Sequence, residues 1–305
     1  MSHRNAWRVV VGLAFAAVGA VAQAQSNFNG PIESKEIAKG VYLLSAGSNS
    51  VLVVGSKDAV VVDALVAAQS APLVKKVGEL TKLPVSTVIN THYHGDHTGA
   101  NEGFRKLGAA VVATEDAART MARATPNARG ALNPALPEGG RPTVTFTGQK
   151  TVKGADHTFK LVEMPPSHTD GDAIVQIPEA NVIIMGDLHH SNEYPVYDTT
   201  AGCQCGSYAG NLEADRIVAK LANDKTIIIP GHGGPTNKAE LLAYITMLEK
   251  VRDDVQAMIK AGKSADEAVA AKPLANDKSV QPGGPDNRDS FVRQLYLALK
   301  TGYGA

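Results

Sequence analysis

The segment Thr91-His92-Tyr93-His94-Gly95-Asp96-His97 puts three histidines and an aspartate within six residues, directly after the β-branched run Pro84 to Ile89. A single histidine after a strand constrains little. Four metal-competent side chains crowded at one strand end repel one another or lie idle unless a cation holds them. Imidazole with carboxylate is the donor set that suits zinc and similar divalent ions. The spacing divides the set in two. His92 and His94, two apart in extended backbone, project to the same side and can grip one ion. Asp96 and His97 fall where the loop turns into the next helix, so they face the other way and can serve a second ion. Gly95 and Gly99 let the backbone turn tightly between them.

Three further segments share one physical form, an apolar strand ending in a short glycine-containing loop that bears a ligand-type side chain. They are Met164-Pro165-Pro166-Ser167-His168-Thr169-Asp170-Gly171-Asp172, Ile183-Ile184-Met185-Gly186-Asp187-Leu188 and Ile227-Ile228-Ile229-Pro230-Gly231-His232-Gly233. Each alone is commonplace. Strand ends at one edge of a sandwich converge in space, so as a set, behind the first cluster, they make His168, Asp187 and His232 strong candidates for the same site.

The rest of the chain supplies the frame. Val41 to Leu44, Val51 to Val54 and Ala59 to Val62 are short apolar runs separated by Gly47, Gly55 and Asp58, the pattern of a three-stranded meander. Helical spacing over Ala67 to Leu80, a strand at Pro84 to Ile89, a helix at Asn101 to Leu107, a strand at Ala109 to Thr114 and a helix at Glu115 to Ala124 predict an α/β layered sheet. Residues 125–142, rich in Pro, Gly and Asn, read as a long loop and a candidate rim or lid over a site. Val144 to Phe146, Thr151 to Val152 and Phe159 to Met164 are expected as hairpin strands, followed by strands at Ala173 to Ile177 and Asn181 to Met185. Helices are expected at Asn211 to Ala222, Lys238 to Ala261, Ala265 to Ala271 and Ser290 to Lys300, with a buried strand at Thr226 to Ile229. Both halves share one βα character, so residues 25–305 are expected to form one domain with a helical C-terminal extension from about residue 251.

The HxHxDH run, the His in Ser167-His168-Thr169-Asp170-Gly171-Asp172, the Asp in Gly186-Asp187-Leu188 and the His in Pro230-Gly231-His232-Gly233 together resemble the metallo-β-lactamase-fold hydrolase superfamily, over about residues 40–250. The resemblance implies a four-layered αβ/βα sandwich with a binuclear metal site at one edge. It implies that His92, His94 and His168 hold a first Zn2+, that Asp96, His97 and His232 hold a second, and that Asp187 bridges them, with iron or manganese as the less favoured metals. It implies a bridging hydroxide as nucleophile, which Asp96 helps to orient, and an Asp at position 63 that braces the metal loops, although a simple strand-end turn explains Asp63 as well. Asp187 in place of cysteine looks more like glyoxalase II, lactonases and related hydrolases. Tyr194 is a candidate to donate a hydrogen bond to the substrate carbonyl, as a tyrosine does in lactonases of this fold, and His189 is a candidate contact to substrate or ligands.

Composition narrows the class. The chain has 305 residues, 30 Lys+Arg against 30 Asp+Glu and 44% hydrophobic residues, which excludes the basic field of a general nucleic-acid binder and the composition of a disordered chain. A small-molecule substrate is the expected partner, while the oligomeric state stays open. Arg4 and Arg8, the apolar run Val9 to Val21 and Ala22-Gln23-Ala24 read as a secretory signal cleaved after Ala24, which points to a periplasmic or secreted protein without a stable membrane anchor. Cleavage there leaves 28 basic and 30 acidic side chains. Cys203 and Cys205 read as two loop thiols, with mutual oxidation or an intermolecular bridge as the alternatives. The expected activity is zinc-dependent hydrolysis of a cyclic or activated carbonyl: a β-lactam, a lactone or an ester. A glyoxalase II-like thioesterase and a non-catalytic exported metal-binding protein are the alternatives. The scattered Lys260, Lys263, Lys272 and Lys278 give no clear glutathione site for the first of these.

Overall fold

The computed structural model describes Phe28 and residues 30–126, 132–198 and 206–302. The expected signal segment and both cysteines lie outside them. Among the described residues no helix is long and apolar enough to cross a membrane.

Seven strands form the first sheet: β1 (Glu33–Ala38), β2 (Val41–Ala46), β3 (Ser48–Val54), β4 (Ala59–Val62), β5 (Val85–Ile89), β6 (Ala110–Thr114) and, after the ribbon strands β7 (Thr125–Pro126) and β8 (Leu132–Asn133), β9 (Val144–Phe146). β1 to β4 run as an antiparallel meander, and β5, β6 and β9 continue the sheet in parallel. Five strands form the second sheet: β10 (Gln149–Gly154), β11 (His157–Glu163), β12 (Ala173–Ile177), β13 (Val182–His190) and β14 (Ile227–His232), antiparallel except for the parallel β13–β14 pair. Two expectations change here. β9 is not a hairpin partner of β10 but the last strand of the first sheet, paired with β6. β1, which the sequence did not reveal, is an edge strand with mostly exposed residues, so it lacks the alternation that marks a buried face.

Helices cover the two outer faces. α1 (Ser70–Leu80), α2 (Gly95–Thr98), α3 (Asn101–Lys106) and α4 (Glu115–Met121) belong to the first half. The second half carries α5 (Tyr208–Leu221), the long α6 (Lys238–Lys260), and the C-terminal α7 (Ala265–Ala270) and α8 (Arg288–Thr301). The period-2 geometry of a strand explains why the apolar runs are unbroken. In β4, Ala59 and Val61 pack outward with Leu73, Val77 and Phe104 of α1 and α3, whereas Val60 and Val62 pack inward with Phe159, Val175 and Ile184 of the other sheet. β13 divides likewise, with Val182 and Ile184 between the sheets and Ile183 and Met185 among Leu212, Val218 and Leu248 of α5 and α6. Each fully buried Val or Ile contributes about 1.5–3 kcal/mol of transfer free energy. The result is a four-layered αβ/βα sandwich, as the sequence led one to expect.

Candidate metal centre

The site lies where β4, β5, β13 and β14 end. Asp63, just past β4, adopts a left-handed backbone with φ 58° and is 2% exposed. Its Oδ1 accepts from Thr91 N–H at 2.8 Å, and its Oδ2 accepts from Thr91 Oγ1 at 2.8 Å and faces His97 Nδ1 at 2.9 Å. One carboxylate thereby fixes both the start of the histidine loop and the ring of its last member. That answers the question left open for Asp63: it braces the loop.

The seven expected ligands converge. One ligand atom each from His92, His94, His168 and Asp187 lie within 4.8 Å of one another, and the same holds for Asp96, His97, Asp187 and His232. Asp187 belongs to both groups. Its Oδ1 is 3.0 Å from His97 Nε2, and its Oδ2 is 3.4 Å from the Nε2 atoms of both His168 and His232. Two glycines make this approach sterically feasible. Gly186 sits at φ 54° beside Thr91, where a Cβ would collide with the threonine side chain, and breaks the β13 register so that Asp187 turns into the site. A Cβ on Gly231 would overlap Asp187 Oδ1 itself.

The far nitrogen of each histidine is held in place, which orients the ring and leaves the near nitrogen for a cation. His92 Nδ1 meets Thr91 Oγ1 at 3.0 Å, His168 Nδ1 meets the Val196 carbonyl at 2.6 Å, and His232 Nδ1 meets the Gly47 carbonyl at 2.9 Å. His94 Nε2 lies 3.4 Å from Asp198 Oδ2, which also accepts from the Tyr93 hydroxyl at 2.5 Å. The near nitrogens of His94 and His168 meet each other at 2.8 Å, and others are left over. His92 Nε2, His97 Nε2 and Asp187 Oδ1 are buried without a hydrogen-bond partner among the described residues. Orphaned ligand-type atoms of this kind, within the two groups that share Asp187, fit metal ions. Burial holds His168 down at about 3 and, with His97 beside it, holds His92 well below its ordinary value. Burial opposes charge on His97 and His232 too, but Asp187 and Asp96 outweigh it and push both up. Asp187 is buried as well, yet His97 and His232 keep its carboxyl well below the usual range.

A cleft of about 770 Å³ opens beside the cluster, with His94, Gly95 and Asp96 among its lining. The described residues of 125–142 contribute to the cleft's rim. Thr125 pairs with Asn133 in the β7–β8 ribbon, and Asn133 to Pro137 line the cleft.

The other candidates are redistributed. Tyr194 is 2% exposed, its hydroxyl donates to Asp277 Oδ2 at 2.7 Å and its ring stacks on Phe291, so it pins the C-terminal helices and does not line the cleft. His189 packs edge-on against Tyr244, with ring centroids 4.6 Å apart. Its neighbour His190 points the opposite way along the strand, with Nε2 3.5 Å from Asp187 Oδ2 and its ring 5.0 Å from that of His232. Strand alternation gives one of two adjacent residues to each face, but the sequence does not say which. Asp198, too, was missed. It follows two aromatic-bearing positions, Tyr194 and Tyr197, in a segment without periodicity, and only the fold brings it to His94 and Tyr93.

The metallo-beta-lactamase superfamily matches residues 46–232, more than half of the chain and all seven clustered residues. The chain belongs to that superfamily. A metallo-beta-lactamase from Pontibacter korlensis is similar in structure, with TM-score 0.57 at 20% identity over 72% of this chain and 99% of that one. The sec-alkylsulfatase Pisa1 from Pseudomonas sp. gives TM-score 0.64 at 16% identity over 87% of this chain and 50% of that one. At these identities the likeness concerns the fold. Among curated relatives, the 2,4-dinitroanisole O-demethylase subunit alpha of Nocardioides sp. (strain JS1661) is 24% identical over 204 residues, a match that spans 66% of this chain and 56% of that protein. Members of the superfamily act as hydrolases, and the clustered His and Asp side chains are a donor set that suits a metal ion.

Proposed function

We propose that this protein is an exported hydrolase that uses two zinc ions to open a cyclic or activated carbonyl: a β-lactam, a lactone or an ester. The observation that carries the reading is the sharing of Asp187 between two ligand groups, which suits a close pair of ions better than two unrelated sites. His92, His94 and His168 would hold the first ion, Asp96, His97 and His232 the second, and Asp187 both. When bound, such ions supply a Lewis acid and lower the pKa of water toward about 7.

The chain's own residues do the rest. His94 and Asp96 both belong to the cluster and line the cleft, so the substrate carbonyl approaches from their side. Asp96 is half-buried, with Oδ2 3.2 Å from His232 Nε2 and 3.5 Å from His97 Nε2, and would orient the attacking water by accepting a hydrogen bond from its O–H. Asp63 behind His97 and Asp198 behind His94 hold the two rings in their working orientation. Arg4, Arg8 and the apolar run after them support export. The test is turnover of nitrocefin, an N-acyl homoserine lactone, p-nitrophenyl acetate and a thioester by zinc-loaded protein. Zinc-dependent hydrolysis of at least one of the first three is expected. No turnover of any of them overturns the reading, and turnover of the thioester alone replaces it with a thioesterase.

A further inference from the structure

The cluster is polar throughout, but the cleft that leads to it is not. Val66, Ala67, Met121, Pro134, Leu136 and Pro137 make up much of its wall, and His94, Gly95 and Asp96 line it where it adjoins the cluster. Among the described lining residues outside the cluster, only Glu102 and Arg123 carry charge. Glu102 is already spoken for, with Oε1 2.9 Å from Lys106 Nζ. A volume near 770 Å³ is in the range that takes a drug-sized molecule, far more than a carbonyl and its first substituent need. The wall is also anchored. Met121, with Leu136 packed against it, forms a small core with Tyr93, Ala113 and Ala117. Arg141 Nε and the Leu136 carbonyl bond at 2.8 Å, which ties the rim segment to the chain beyond it.

We propose that this cleft is the seat of an extended apolar group on the substrate, so that the preferred substrates are esters or lactones with a medium-length hydrocarbon chain or an aromatic body of similar size. The inference rests on the hydrolase reading above for the word substrate, but not for the binding of the apolar group. The hydrocarbon enters along Val66, Met121 and Leu136 while the carbonyl rests at His94 and Asp96. Each methylene that leaves water for such a wall strengthens binding about two- to fourfold until the cleft is full. The chain can sit on the acyl or on the alcohol side of the scissile bond, and the experiment separates the two.

The experiment has an activity arm and a binding arm. In the first, kcat/KM of the zinc-loaded protein is measured over p-nitrophenyl esters from acetate to decanoate and, by pH-stat, over alkyl acetates from methyl to octyl. A rise of about two- to fourfold per methylene is expected in one series, carried by KM, and the series that rises tells which side of the bond lies in the cleft. Leu136→Asp and Ala135→Trp, the one making the wall polar and the other filling it, are each expected to cut the decanoate-to-acetate ratio at least tenfold. In the second arm, anilinonaphthalene sulfonate is titrated onto the protein with and without zinc, displaced with decanoate, and the titration is repeated with both variants. Circular dichroism and zinc content check that the variants fold. Flat or falling series together with unchanged displacement in both variants overturn the proposal. If no ester turns over but a β-lactam or lactone does, the ester preference is overturned, and if nothing turns over the hydrolase reading fails; in both cases the displacement titration alone decides whether the cleft binds hydrocarbon.

Discussion

The two ligand groups share a carboxylate yet are built differently. His92, His94 and His168 are three imidazoles, drawn from the loop after β5 and the loop before β12, and their far nitrogens rest on a hydroxyl, a carbonyl and the outlying Asp198. Asp96, His97 and His232 bring a carboxylate of their own, start from α2 and the end of β14, and have Asp63 directly behind His97. The first group is neutral apart from Asp187, whereas the second is anionic before Asp187 is counted. A cation in the first depends on Asp187 for charge balance. One in the second does not. What the difference teaches is that Asp187 couples the groups, while the supporting residues address them one at a time.

The largest effect should come from breaking the coupling. Asp187→Ala is expected to lower bound zinc to at most one equivalent and to cut kcat/KM about a thousandfold or more, read by elemental analysis after dialysis and by steady-state kinetics. Retention of two equivalents would show that the groups are independent. Removing one ligand from one group should come next. His168→Ala should lose one equivalent and leave the second group filled, and His232→Ala should do the reverse. Cobalt substitution, with its geometry-sensitive absorption, tells which remains. The supporting carboxylates should matter less. Asp63→Asn is expected to weaken zinc in the second group, and Asp198→Asn in the first, each by about 10–100-fold in competition with a chelator. Equal weakening of both groups by either variant would erase the distinction drawn here. The smallest effect is expected at Tyr194→Phe, which removes a hydrogen bond to Asp277 well outside both groups. Turnover and zinc content should stay within about twofold, while unfolding stability falls by about 1 kcal/mol. A hundredfold loss of kcat would return Tyr194 to the chemistry.

The sequence made much of this legible because the relevant signals are local. Unbroken apolar runs marked β4, β13 and β14 as strands with both faces covered, and each led to a ligand or a bracing residue. The spacing of His92 and His94, and the helix start at Asp96 and His97, already split the ligands into the two sets that the fold brings to two neighbouring points. The strand end at β13 was harder. Expected to stop at Met185, it runs to His190, because parallel pairing with β14 resumes past the Gly186 break, with His190 opposite His232. Neither β9 nor β1 could be assigned to its sheet from its own residues, since pairing with β6 or β2 is a contact between distant segments.

By itself, the sequence determined which side chains could hold a cation, which apolar runs would be buried, and that the chain would fold as layers of helix and sheet. Those follow from periods of two and 3.6 residues and from donor chemistry, and they need no knowledge of neighbours in space. Only the tertiary structure decided that Asp63 braces His97 and is not merely a strand-end turn, that His190 and not His189 meets Asp187, that Tyr194 packs against the helical extension, and that an apolar cleft opens at His94 and Asp96. Each of these depends on the face that a residue presents once register is set. Register in turn is fixed by packing between segments as far apart as Gly47 and His232, which no local pattern encodes.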